Sequence, residues 1–289
     1  MVSEEQKQQM AEENRQVRQR VAGIKNRILV LSGKGGVGKS SVAANLAVAL
    51  AEKGNKVGLL DVDIHGPSIP GILGIDGVAT LAAQQVRREG GNAGPGQDSV
   101  FFRPVEAMEN LFVMSIGFLL ENRDTAVIWR GPMKYNIIKQ FIKDVEWGQL
   151  DYLVVDSPPG TGDEPLSVVQ LLGTPSHALV VTTPQELSLS DVRRCVTFCR
   201  QVNVPVLGIV ENMSGFVCPH CGEKTDIFKT GGGRKLAAEM DIPFLGHIPI
   251  DPRLVDAGDN GTSYFRSFRD TGTARSFNTI VAAVISATQ

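Results

Sequence analysis

The run Gly33-Lys34-Gly35-Gly36-Val37-Gly38-Lys39-Ser40, followed by Ser41, gathers backbone N–H groups, lysines and hydroxyls into one short turn. Glycines let a backbone close around an anion, and the amides that open a helix point toward it. The run satisfies both G-x-G-x-x-G and G-x-x-x-x-G-K-S. Lys39 and Ser40 favour the second, because a dinucleotide turn needs only glycines and a helix start. A phosphate loop adds a lysine for the β- and γ-phosphates and a hydroxyl for magnesium. Asp61, about where a ribose-binding carboxylate would stand, keeps the dinucleotide reading open. A glycine-rich turn that binds nothing is the plain alternative.

Carboxylates that end apolar strands supply the rest of such a site. Leu59-Leu60-Asp61-Val62-Asp63 and Val154-Val155-Asp156 each run a strand into an acid. In an open parallel sheet those ends face the ligand crevice. Asp156 reads as a Walker B acid that holds Mg2+, directly or through water, with Ser40 as the hydroxyl ligand and the metal offsetting charge on the phosphates. Asp61 and Asp63 are expected to alternate across the strand end and so to divide their roles. One orients metal-bound water and the other the attacking water. Solvated strand caps are the alternative for both.

The chain has 4 cysteines, in two unlike pairs. Cys195 and Cys199 share an apolar stripe with Val192, Val196 and Val202 on an expected helix over 190–202, which makes them core residues. Cys218-Pro219-His220-Cys221 lies in a loop with no stripe to hide in. Two thiolates do not complete a four-coordinate zinc site or a four-iron cluster. A two-fold homodimer giving one pair per subunit would complete it. Half a zinc knuckle, with His220 as an extra ligand, and a thiol redox pair remain open.

Local patterning places these groups. Continuous apolar runs at 28–31, 56–60, 111–114, 152–155, 178–181 and 206–210 read as strands. Segments 40–53, 133–147 and 190–202 read as helices. Buried strands alternating with helices imply an α/β fold, an open, mostly parallel sheet with helices on both faces in three layers. Residues 1–26 read as a polar tail or solvated helix, and 27–289 as a single domain. Two glycine-rich stretches interrupt the rhythm, one at 84–99 and one at 214–233 that ends in Gly231-Gly232-Gly233. The 289 residues hold 29 Lys+Arg against 31 Asp+Glu, which leaves no general basic footprint for nucleic acid or acidic membranes. The N-terminus has no apolar signal core, and the longest uncharged stretch, 165–185, is broken by Gly173 and Pro175. A soluble cytoplasmic protein is expected.

With Lys34 inside it, the phosphate loop resembles the deviant Walker A of the MinD/ParA-type ATPases. Within that class the motifs Asp61-Val62-Asp63-Ile64-His65-Gly66-Pro67-Ser68-Ile69-Pro70, Trp129-Arg130-Gly131-Pro132-Met133, Asp156-Ser157-Pro158-Pro159-Gly160-Thr161-Gly162-Asp163 and Cys218-Pro219-His220-Cys221 are similar to the Mrp (ApbC-like) family of iron-sulfur cluster carriers. The resemblance spans about 24–252. It implies that Lys34 crosses a dimer interface to the partner's nucleotide, in the manner of an arginine finger. It further implies that Asp63 positions the hydrolytic water, that 158–163 senses the γ-phosphate, and that Asn212 reads adenine. A four-iron (4Fe-4S) cluster on Cys218 and Cys221, apo iron-sulfur proteins as recipients, and slow ATP hydrolysis follow from the same resemblance. No N-K-x-D guanine signature occurs, so ATP is expected over GTP. One branch of the family carries an additional N-terminal cysteine cluster, and residues 1–26 contain no cysteine, so a second cluster is not expected.

Two other readings compete. A positioning ATPase of the same fold would need a basic amphipathic tail for membrane or DNA, and 276–289 holds no Lys or Arg. A regulatory ATPase stapled by zinc at the cysteine pair would keep the nucleotide site and change only the metal.

Overall fold

The computed structural model describes residues 15–64, 66–75, 86–87, 100–119 and 131–289. Of the sequence features, His65, Trp129, Arg130, residues 1–14 and most of 84–99 lie outside them. The centre is β1 (Ile24–Ser32), buried from Ile28 onward on both faces. It pairs in parallel with β7 (Leu150–Asp156) on one side and β8 (Ser176–Thr182) on the other. Beyond β7 come β2 (Val57–Asp61), β6 (Leu111–Ser115) and the antiparallel edge strand β5 (Val105–Met108). Beyond β8 come β9 (Val206–Glu211) and β12 (Phe244–His247), both parallel. The eight strands run in the order β12-β9-β8-β1-β7-β2-β6-β5. Pairs β3 (Val86–Arg87) with β4 (Val100–Phe101), and β10 (Phe216–Val217) with β11 (Lys224–Thr225), stand outside this sheet.

Near-continuous Val, Leu and Ile in these strands leaves neither face fit for water, and parallel strands require crossovers long enough to be helices. The two faces carry separate cores. One packs α2 (Lys39–Glu52) beneath the C-terminal helix (Gly272–Thr288). The helix expected over 40–53 is present as α2, an Ala-, Val- and Leu-rich segment enclosed from Val42 to Ala51. The other core packs the helices Gly131–Asp144, Asp163–Leu172, Glu186–Gln201 and Gly232–Glu239. The sequence reading placed no element at 163–172 and no antiparallel edge. Both are short and follow turns that mask their periodicity.

Of the polar tail or solvated helix expected over 1–26, the described part is a helix, mostly exposed but anchored by two buried valines. Residues 15–21 form a helix, α1, whose Val17 and Val21 are 2% and 4% exposed in the second core. β1 also starts three residues before Arg27. Arg27 explains the docking. It is itself buried, donates through Nη2 to the Val21 carbonyl and through Nη1 to the Leu172 (2.8 Å) and Thr174 (3.0 Å) carbonyls, and burial holds its pKa below the usual arginine value. One guanidinium thus ties α1 to the loop before β8. Replacing it orphans three carbonyls, so Arg27→Ala should lower the unfolding free energy by about 2–4 kcal/mol in a denaturant titration. An unchanged midpoint would show that α1 is not held this way.

Candidate functional site

The C-terminal ends of β1, β2, β7, β8 and β9 meet along one edge of the sheet, the place where open parallel sheets bind ligands. The loop from Gly33 to Gly38 leaves β1 and enters α2. Gly36 and Gly38 hold φ of 79° and 78°, a left-handed conformation that suits glycine. Gly38 also has no room for a side chain, because a Cβ there would stand 2.3 Å from Asn212 Nδ2. Gly38 caps α2 with no side-chain hydrogen bond. The first N–H groups of the helix therefore remain available to an anion.

Lys39 is buried and its ammonium reaches Asp156 Oδ1 at 2.5 Å, Ser40 Oγ at 3.4 Å and Asp63 Oδ2 at 3.5 Å. Asp156 is fully buried, and its Oδ2 has no hydrogen-bond partner among the described residues. Burial pushes the Asp156 carboxyl above the usual range, against the pull of Lys39. Asp61 lies opposite Asp156 in the strand register. Burial first, and then the charge of Asp156, push Asp61 up to about 8. Its oxygens accept from Ser115 Oγ (2.8 Å), the Ile69 N–H (3.3 Å) and the Asp63 N–H (3.2 Å).

The expected alternation of Asp61 and Asp63 is corrected here. Residues two apart on a strand share a face, and these two are separated because β2 ends at Asp61 and the chain turns. Asp61 thereby shapes the 61–69 loop, while Asp63 faces Lys39. From the other side the 157–162 loop closes on β1, the Gly160 N–H donating to the Ser32 carbonyl (2.8 Å) and Ser157 to Val30 (3.3 Å). Ser32 Oγ donates to the Lys34 carbonyl (2.9 Å) and fixes the loop's first turn.

Asn212 extends the β9 ladder by donating its N–H to the Thr182 carbonyl (2.7 Å), and its side-chain Nδ2 donates to Val37 O (2.9 Å). Among the described residues, one amide hydrogen and the amide oxygen remain for a ligand. Beside it opens a cavity of about 1100 Å3 lined by Gly38, Ser41, Asn45, Asn212, Ile250 and Asp251 among others. Residues 249–264, which form its far wall, carry no motif that sequence reasoning could have used. Glu211 was also missed, although Val206 to Glu211 runs an apolar strand into an acid as the other two do.

The two cysteine pairs differ as expected. Cys195 and Cys199 are buried on the helix Glu186–Gln201, and a hydrogen bond shared with Cys199, together with burial, pushes the Cys195 thiol up. Cys218 and Cys221 lie on the turn between β10 and β11, one partly exposed and the other exposed. The Cys218 N–H donates to the Glu223 carbonyl and the Gly222 N–H returns to the Cys218 carbonyl, both at 2.9 Å. Backbone N–H groups of Cys221 and His220, then the Cys221 thiol, point at the Cys218 sulfur and lower its pKa. Amides aimed at sulfur stabilise a thiolate and the metal it would hold. No group of three or more His, Cys, Asp or Glu suited to a metal ion occurs among the described residues.

Residues 23–285 match the ParA family, described as NUBPL iron-transfer P-loop NTPase. The chain is 49% identical over 270 residues to the cytosolic Fe-S cluster assembly factor NUBP2 of Bos taurus, covering 93% of this chain and 95% of that protein. It is 49% identical over 274 residues to the NUBP2 homolog of Nematostella vectensis, covering 94% and 97%. Among solved structures, the nucleotide-binding protein of Archaeoglobus fulgidus in complex with ADP is 40% identical, with a TM-score of 0.71 over 86% of this chain and 92% of that one. The cell division ATPase MinD of Pyrococcus furiosus, 24% identical with a TM-score of 0.63 over 91% and 99%, shares the fold.

The contrast between the cysteine pairs has a direct readout. Iodoacetamide at neutral pH should modify Cys218 at least about tenfold faster than Cys195 or Cys199, as followed by peptide mass spectrometry. Comparable rates would place the helix pair at the surface.

Proposed function

The chain belongs to the ParA family of NUBPL iron-transfer P-loop NTPases, and from that premise we propose that it is a cytoplasmic ATPase that carries an iron-sulfur cluster to apo-proteins. The observation that carries this reading is the Cys218–Cys221 turn. It offers two solvent-facing thiols, one supported by sulfur-directed amides, and so forms half of a four-thiolate set. Two copies of the chain, one pair from each, complete a site for a four-iron cluster as cargo. The similarity to proteins named cytosolic Fe-S cluster assembly factor supports the same conclusion.

The strand-end site takes ATP, with Asn212 and the adjoining cavity receiving the base and Gly33 to Ser41 the phosphates. Mg2+ fits here because Asp156 presents a buried oxygen with no hydrogen-bond partner among the described residues. Ser40 and Asp156 would hold it, with Asp61 behind them through water, and it would offset phosphate charge. Lys39, already at the carboxylates, meets the β- and γ-phosphates. Asp63 orients the attacking water, whose oxygen bonds the γ-phosphorus as the bond to the bridging oxygen breaks, giving ADP and phosphate. Lys34 serves the partner's nucleotide.

Anaerobic addition of iron and sulfide to the full chain should give visible charge-transfer absorption and about four iron atoms per two chains. Cys218→Ala and Cys221→Ala should each abolish both. Native mass spectrometry should find the cluster only on the paired species. A single polypeptide retaining all the iron, or zinc alone in protein purified without air, would overturn the assignment.

Lys34→Ala and Asp63→Ala should each lower hydrolysis by about 10²-fold or more. An equal mixture of the two variants should recover activity, because a mixed pair keeps one intact site if Lys34 acts across the interface. No recovery would return Lys34 to its own subunit.

A further inference from the structure

Glu211, the last residue of β9, is 1% exposed and belongs to neither the phosphate loop nor the thiol turn. Its carboxylate nonetheless touches both ends of the excursion that carries the thiols. Oε1 accepts from Ser214 Oγ (2.5 Å), where the excursion leaves the sheet, and from the Gly231 N–H (2.8 Å), where it returns. Oε2 accepts from the Gly233 N–H (2.5 Å) in the first turn of the helix Gly232–Glu239. The three donors satisfy a charge that burial would otherwise make costly. They also convert residues 214–231 into a loop closed on one side chain.

The glycine triplet that ends the excursion is shaped to this contact. Gly231 has φ of 79°. A Cβ on Gly232 would lie 2.6 Å from the Pro184 carbonyl, and one on Gly233 would lie 3.1 Å from Glu211 Oε2. Side chains there would push the helix start off the carboxylate. A second tether joins the same excursion to the wall of the cavity, because the Ile250 N–H donates to the Gly215 carbonyl (2.8 Å) and the Ser214 N–H to the Ile248 carbonyl (2.9 Å). One peptide bond from Glu211, Asn212 holds the phosphate loop through Val37 O.

We infer that Glu211 is a positioning residue that transmits nucleotide occupancy to the Cys218–Cys221 pair. This rests on the reading that the strand-end site takes ATP. Any shift of Asn212 as it engages a base is carried through one rigid peptide to a carboxylate that holds both roots of the thiol loop. The loop therefore moves as a body and the two sulfurs change exposure together. An acceptor-only side chain is required, since all three partners are donors. An amide of the same shape keeps one acceptor oxygen but turns its NH2 against a glycine N–H, Gly233 or Gly231, so it releases the returning end of the excursion from the side chain.

The test uses the full chain, reduced and metal-free, with the alkylation rates of Cys218 and Cys221 measured with and without a non-hydrolysable ATP analogue and Mg2+. Affinity for the analogue is measured separately by calorimetry. In the wild type the analogue should change the rates by about fivefold or more. Glu211→Gln should bind the analogue within about twofold of wild type and lose most of that change. Ser214→Ala, which removes one donor and leaves the carboxylate on the helix start, should lose part of it and covers the case of a Glu211→Gln chain that does not fold. A nucleotide response that persists in a folded Glu211→Gln, or in Ser214→Ala at full size, overturns the inference. So does wild type that binds the analogue with no change at the thiols. Wild type that does not bind the analogue sinks the ATP reading itself, and the coupling with it.

Discussion

Carboxylates buried at the ends of parallel strands are the constraint to which the rest of this site answers. Asp61, Asp156 and Glu211 each terminate an apolar strand and are fully or almost fully buried. An ionised carboxylate taken out of water is costly unless matched by charge or by hydrogen-bond donors. Each is matched differently. Asp156 has the Lys39 ammonium, Asp61 has a hydroxyl and two backbone N–H groups, and Glu211 has a hydroxyl and two glycine amides. The three solutions organise, in turn, the phosphate loop, the 61–69 loop and the thiol excursion. Asp61 and Asp156 are neighbours in register, so the charge of Asp156 adds to burial in raising Asp61, while the Lys39 ammonium at the start of α2 lies against Asp156 itself.

The cysteines show why residue type alone does not define a ligand. Four thiols occur in this chain, and two of them, Cys195 and Cys199, stand one helical turn apart. Enclosure on the helix Glu186–Gln201 removes them from exchange with water and ions and pushes Cys195 toward the neutral thiol. The turn after β10 does the reverse. Its backbone is spent on holding Cys218 in place, and two of its amides are aimed at the sulfur rather than at a carbonyl. Thiolate character and access coincide there, and they coincide only there among the four.

What was legible in the sequence was local. The phosphate loop, the acids at strand ends and the thiol turn are each written within ten residues, and the alternation of apolar runs with helical stripes gave the sheet. What was not legible depends on partners distant in sequence. The burial of Val17 and Val21 requires Arg27 to reach the segment before β8. The cavity beside Asn212 requires 249–264 to fold back against α2. Glu211 carried the same local signal as Asp61 and Asp156. Its role was invisible because two of its three donors are backbone amides about twenty residues later. The glycine triplet hinted at a close approach without naming what approached.

Under the proposed function, splitting the ligand set between two chains fixes the thermodynamics of release. A chain that supplies two of four thiolates retains cargo only as strongly as it retains its partner, so the free energy of pairing and the free energy of cluster binding are one linked quantity. Nucleotide bound at the strand ends enters the same linkage. If it favours one arrangement of the paired chains, it must alter cluster affinity by that coupling energy, and the cluster must alter nucleotide affinity by an equal factor. A single-chain cage would have no such reciprocity, because its ligands would stay together whether or not a partner were present. Exposure of the sulfurs, which a storage protein would avoid, is then the feature that lets an incoming acceptor thiol compete for the metal as soon as pairing loosens.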